Sequence, residues 1–348
     1  MRKIIISFLS LLILMTLTHC EAFLDFDPND IISEEVVDDV DDNSSGGNGN
    51  GNGNGNGNGN GGNGGGLESE VSENDPQETG LSCSDHHNRN NTIDVLAVID
   101  IPSDLSEHYD LSDVMPPVRS QGQQGSCVSW AVMYYLKSYQ EKIQFGYDYE
   151  TYADVMSPAF AYNQIANGNC GGGSSVGQNL EILKTQGAVS WEDFPYADDV
   201  CSTQPSTDLL EIAEKNTIED YFVVGIPDNP PNPEYTQINL MKTLLRQDHP
   251  LVMSFSIKEI NFSYLNNANQ DFVGLTFTPD PEDPCGHGVL IVGYDDELQA
   301  FKFINSWGTS WGNEGFAWLS YNFFKPSSDS NYQEGVSSVY IAYDKIED

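Results

Sequence analysis

Apolar side chains along this chain follow two kinds of pattern, and the kind changes near residue 250. Val128, Ala131, Val132, Tyr135, Leu136 and Tyr139 recur at helical spacing, the stripe of a helix buried on one face. Val176, Leu180 and Leu183 predict a second helix, opening after Ser174-Ser175 and closed by Gly187 as its C-terminal cap. A third is predicted around Ile238, Met241, Leu244 and Leu245, stopped by Pro250. Beyond it the runs shorten or alternate, at Leu251 to Ile257, Val289 to Tyr294, Phe301 to Ile304, Gly315 to Ser320 and Val339 to Tyr343, and these read as strands. Helices first and strands afterwards predict an α+β chain of two segregated lobes, with the cleft between them as the natural ligand site.

The first ninety or so residues do not share that patterning. Arg2 and Lys3 precede an apolar run from Ile4 to Leu17, so residues 1–20 read as an export signal. Leu17-Thr18-His19-Cys20 resembles a lipobox in which Cys20 becomes the lipidated first residue, although His19 stands where such motifs place a small residue. Lipidation at Cys20 and simple secretion both remain open, and either puts the chain in an oxidising compartment. Residues 21–91 read as a tether. Asp38-Asp39 and Asp41-Asp42 repel one another, and residues 46–66 are almost entirely Gly and Asn, with no apolar side chain to bury. The folded domain is therefore expected from Thr92 to Asp348. Charge narrows the partners: 53 acidic against 14 basic residues give a net charge of -39, which repels phosphate backbones and argues against nucleic acid.

Candidate chemistry begins at the N-terminal end of the first helix. Gln121-Gly122-Gln123-Gln124-Gly125-Ser126-Cys127 sets a thiol at a helix start behind two glycines, where backbone N–H groups and the helix dipole favour a thiolate. Gln121 is a side-chain donor one loop away, of the kind that meets a developing oxyanion. His287 opens a predicted strand, the place from which an imidazole can take the thiol proton and later protonate a leaving amine. Asn305 is a third polar group of the type that fixes an imidazole's tautomer and orientation.

These segments resemble those of the papain family. Pro117-Val118-Arg119-Ser120-Gln121-Gly122 followed by Gly125-Ser126-Cys127 is similar to its nucleophile segment, Gly286-His287-Gly288-Val289-Leu290-Ile291-Val292-Gly293-Tyr294 to its histidine strand, and Asn305-Ser306-Trp307-Gly308-Thr309-Ser310-Trp311-Gly312 to its asparagine motif. The resemblance implies a papain-like two-lobed fold, helical first and β-barrel-like second, with the active-site cleft between. It implies a cysteine peptidase with Cys127 as nucleophile, His287 as base, Asn305 as orienter and Gln121 in the oxyanion hole. Asn169-Cys170-Gly171-Gly172-Gly173 is similar to the family's glycine stretch, so Gly172, Gly173 and Trp307 are the implied substrate-binding residues, Trp307 also shielding the His287–Asn305 bond from water. No metal or organic cofactor is implied, and the implied partner is a protein or peptide substrate.

Two departures accompany the resemblance. Gln124 and Val128 stand where the family usually has a disulfide cysteine and a tryptophan, which deprives Cys170 of its usual partner. Of the pairings open to Cys83, Cys170, Cys201 and Cys285, Cys170 with Cys201 is the one expected. Two alternatives stay open at this point: an inactive papain-like surface binding module, and a Cys-His amidase or transglutaminase of similar fold.

Overall fold

The structure, a computed structural model, describes residues 96–226, 230–234, 236–256, 259–264, 273–278, 286–324 and 336–346. The expected leader and tether, with Cys20, Cys83 and Cys285, lie outside the described residues.

In chain order, strand β1 (His108–Asp110) precedes a long helix α1 spanning 127–145, then come α2 (Pro158–Ala166), α3 (Val176–Thr185) and α4 (Thr207–Ala213). Strand β2 (Ile218–Val223) and helix α5 (Gln237–Arg246) lead into β3 (Leu251–Ser256), β4 (Glu259–Tyr264), β5 (Val273–Thr278), β6 (Gly286–Asp295), β7 (Ala300–Ile304), β8 (Phe316–Ser320) and β9 (Val336–Asp344). The three predicted helices and the runs read as strands recur here as α1, α3, α5, β3, β6, β7, β8 and β9. Their ends follow from local chemistry. Ser175 caps α3 in a reciprocal box, its Oγ accepting from Gln178 N while Gln178 Oε1 accepts from Ser175 N, both at 3.0 Å. Gly187 then turns the chain at φ 90°, and a Cβ there would lie 1.8 Å from Ala213 O.

Among the described residues the strands form one sheet in the order β2-β9-β3-β6-β7-β8-β5-β4, with β1 added beside β6, and the path does not close on itself. Among the described residues the second lobe is thus an open sheet rather than the closed barrel its barrel-like expectation suggests. Two of its strands, β1 before α1 and β2 between α4 and α5, come from among the helical elements, so the lobes are less segregated than helices-then-strands ordering implies. Ile218-Glu219-Asp220 hides β2 in the sequence, since two adjacent carboxylates interrupt its alternation.

Helix α1 departs further from expectation. Every residue from Cys127 to Glu141 is buried, not one face alone, because the helix lies between β3 and β6 on one side and α2 and α3 on the other. Its middle, Trp130–Lys137, is wound as a π-helix. Fully burying each of Val128, Val132 and Leu136 contributes about 1.5–3 kcal/mol, which makes this helix the spine of the domain. Lys137 on the spine is buried yet compensated: Nζ lies 2.7 Å from Glu141 Oε1 and 2.5 Å from Asp344 Oδ1 at the end of β9.

Candidate active site

The loop before α1 is shaped by close approaches. Gly122 adopts φ +60°, and a Cβ there would come within 1.9 Å of Asp198 Oδ2, so both conformation and space call for glycine. Gly125 N donates to Cys170 O at 2.9 Å, and a Cβ on Gly125 would lie 3.1 Å from Gly172 O. The thiol loop and the glycine loop are therefore in direct contact. Cys127 emerges as the first residue of α1 and is fully buried. Its Sγ accepts from Gly288 N at 3.3 Å. That approach needs a residue without a side chain, since a Cβ on Gly288 would meet Val128 Cγ2 at 2.8 Å.

His287, the residue before Gly288 on β6, is also buried. Its Nε2 lies 2.6 Å from Asn305 Oδ1, and the same oxygen accepts from Ser306 N at 2.8 Å. A backbone N–H only donates, so it identifies that amide atom as the oxygen, and the imidazole must then carry its proton on Nε2. In the neutral ring Nδ1 is consequently the basic nitrogen; it has no hydrogen-bond partner among the described residues. Trp307 stacks on the ring at 4.3 Å between centroids, and Phe255 meets it edge-on at 5.8 Å. Burial pushes the His287 pKa down to about 4, opposed by the bond to Asn305, which favours the charged form.

Gln121 is buried and held at both ends of its amide. Ser306 Oγ donates to Oε1 at 2.6 Å, and Nε2 donates to Gln124 O at 2.7 Å. The backbones join as well: Gln121 N donates to Ser306 O at 2.8 Å, Gly308 N donates to Arg119 O at 3.2 Å, and Ser120 bridges Trp307. Tyr135 on α1 adds an O–H donated to Asn305 O at 2.9 Å. The glutamine segment and the asparagine motif are thereby zipped together, and the four polar residues expected from the sequence share one buried neighbourhood. Ser306 was missed as a positioning residue, although it sits inside the Asn305-Ser306-Trp307 run.

The glycine loop lies alongside. Gly172 O accepts from Tyr162 OH at 2.6 Å, and Gly173 is half-exposed. Cys170 and Cys201 are disulfide-bonded with Cα atoms 5.4 Å apart, the pairing expected. Gln124, standing in place of a cysteine, donates Nε2 to Ala197 O and Val200 O, each at 3.4 Å. A polar tie thus holds the thiol loop to the segment that ends in the disulfide.

A model of the papain family of cysteine proteases matches residues 105–331. Among relatives, the chain is 30% identical over 208 residues to the gamete and mating-type specific protein A of Dictyostelium discoideum, covering 60% of this chain and 41% of that protein. It is 24% identical over 201 residues to the viral cathepsin of Rachiplusia ou multiple nucleopolyhedrovirus (strain R1), covering 57% of this chain and 54% of that one. The chain therefore spans about half the length of these two relatives. Among solved structures it is similar to xylellain, a cysteine protease from Xylella fastidiosa, with a TM-score of 0.53 and 21% identity over 79% of this chain and 99% of that chain. It is also similar to digestive procathepsin L 3 of Tenebrio molitor larval midgut, with a TM-score of 0.50 and 18% identity over 76% of each chain.

Proposed function

The chain belongs to the papain family of cysteine proteases, and on that premise we propose that it hydrolyses peptide bonds through a thioester on Cys127. The observation that carries the reading is one continuous set of contacts: Cys127 Sγ to Gly288 N beside His287, His287 Nε2 to Asn305 Oδ1, and Ser306 back to Gln121.

In this reading Cys127 Sγ gives its proton to His287 Nδ1 and attacks the scissile carbonyl carbon. The carbonyl electrons pass to an oxyanion that the Gln121 side-chain amide and the Cys127 N–H stabilise. Collapse breaks the C–N bond, and the leaving amine takes the proton from His287. Water then attacks the thioester with His287 as base, releasing the acid and restoring the thiol. Asn305 holds the tautomer, and Trp307 covers the His287–Asn305 bond. Gly172 and Gly173 offer main chain to an extended substrate, Gly125 packing behind them.

Titration of the intact protein with an epoxysuccinyl thiol reagent, read by mass at Cys127, separates this reading from an inactive binding module. Stoichiometric labelling with loss of peptide hydrolysis is expected; an unlabelled Cys127 would remove the reading. Gln121→Ala is expected to lower kcat by about 10²-fold with little change in KM, since the bond to the oxygen strengthens only as charge develops. Single-turnover acylation by a peptide ester checks it, and an unaltered rate would leave Gln121 a structural residue.

The protein is proposed to act outside the cytoplasm, supported by the charged-then-apolar leader and the Cys170–Cys201 disulfide. Among the described residues no helix is long and apolar enough to cross a membrane. If Cys20 carries the anchor, Cys20→Ser moves the protein from the membrane fraction to the soluble one, whereas wild type found only in the culture supernatant with an unmodified N-terminus favours simple secretion.

A further inference from the structure

Tyr196 lies outside every motif read from the sequence, yet its hydroxyl touches both ends of the thiol loop. It donates to Gln121 O at 2.7 Å and lies 2.8 Å from Ser126 Oγ. A phenol has a single O–H, and the carbonyl of Gln121 only accepts; the Ser126 hydroxyl is therefore the donor to Tyr196. One oxygen thus bridges the residue proposed to supply the oxyanion donor and the residue immediately before the proposed nucleophile.

The ring is fixed independently of this bridge. Tyr196 meets Trp130 edge-on at 5.0 Å and Trp191 at 5.6 Å, Trp130 lying three residues into α1 from Cys127. Burial raises the phenol pKa well above its ordinary value, so the O–H remains a donor throughout any working range. The loop's other outward ties each hold one residue, Gln121 N to Ser306 O at 2.8 Å, Gly125 N to Cys170 O at 2.9 Å and Gln124 Nε2 to Ala197 O and Val200 O at 3.4 Å, whereas Tyr196 joins two.

We propose that Tyr196 is a positioning residue for the oxyanion hole: its hydroxyl sets the separation of the Gln121 and Ser126 backbones, and with it the aim of the Gln121 amide relative to the Cys127 N–H. The inference rests on the peptidase reading above. It differs from a packing role because the aim of a hydrogen-bond donor governs stabilisation of the oxyanion, and leaves the reactivity of the thiol itself alone.

Tyr196→Phe removes the bridge and keeps the ring. With a fluorogenic peptide amide, kcat is expected to fall about tenfold, less than for deletion of a donor because the Gln121 amide remains present, with KM within about twofold. Alkylation of Cys127 by iodoacetamide is expected to keep its wild-type rate and pH profile, since the thiol and His287 are untouched. Ser126→Ala, which removes one arm only, is expected to give a smaller loss of kcat of the same character. A wild-type kcat in Tyr196→Phe would overturn the inference, and so would a parallel fall in kcat and in alkylation rate, which would place the effect on the thiol or the fold. A wild type that neither cleaves peptides nor alkylates at Cys127 would overturn the peptidase reading and this inference together, whereas an active wild type with an equally active Tyr196→Phe overturns this inference alone.

Discussion

Cys127→Ala is expected to abolish peptide hydrolysis to the limit of detection while leaving the domain folded. The thiol is buried, so its removal carries a cost in packing, but of one atom: about 1 kcal/mol, or about 2–4 °C in Tm for a domain of this size. The variant also isolates the imidazole. In the wild type, on the peptidase reading, the ring exchanges a proton with the adjacent thiol. Without the thiol only the burial and the Asn305 bond remain, and His287 is expected to titrate near 4 by NMR. The folded variant then binds fewer protons than the unfolded chain between that value and the ordinary 6.5. Its stability is fully present above 6.5 and falls as pH drops through the window, by about 3 kcal/mol in all. Residual turnover equal to wild type would sink the mechanism, and a flat stability profile across that window would show that His287 is not held neutral.

His287→Ala is expected to be nearly as damaging to hydrolysis, by about 10³-fold or more in kcat/KM, because the same ring acts first as base and then as acid. Its signature differs from that of Gln121→Ala. Removing the imidazole removes the acceptor that lets Cys127 ionise at neutral pH, so iodoacetamide alkylation should slow sharply at pH 7 and recover as pH rises toward the ordinary thiol range. Gln121→Ala, which leaves the proton acceptor in place, should alkylate at the wild-type rate. If His287→Ala alkylates normally at pH 7, the helix N-terminus alone suffices to generate the thiolate, and the role given to His287 in the first step fails.

Much of the architecture was legible because burial leaves a period in the sequence. The stripe Val128 to Tyr139 identified α1, and short apolar runs identified β3, β6, β7, β8 and β9. The stripe nonetheless understated α1: Trp130, Met133 and Tyr134 fill its opposite face and are just as buried, and period alone does not distinguish a helix covered on one side from one covered all round. Helix α2 escaped because Ala159 and Ala161 are small, leaving Ser157-Pro158 as its only marker. At the site, the residue types that do chemistry were readable because they sit in contiguous motifs. Their supports were not: Ser306 reaches Gln121 across 185 residues of chain and Tyr196 reaches it across 75, and no local pattern encodes a partner that distant.

The zip between the glutamine segment and the asparagine motif bears on the order of synthesis. Ser306 and Gln121 are 185 residues apart, and β7 and β8, which carry the asparagine motif between them, are among the late strands. A chain emerging from the ribosome can form α1, but the contact from Ser306 to Gln121 and that from Asn305 to His287 wait until nearly the whole domain has been made. Closing so long a loop is an entropic cost met only when the sheet condenses, which places assembly of the site late in folding. On the peptidase reading, incomplete chains are therefore expected to be inert toward their neighbours, chain topology itself delaying activity until the sheet is complete.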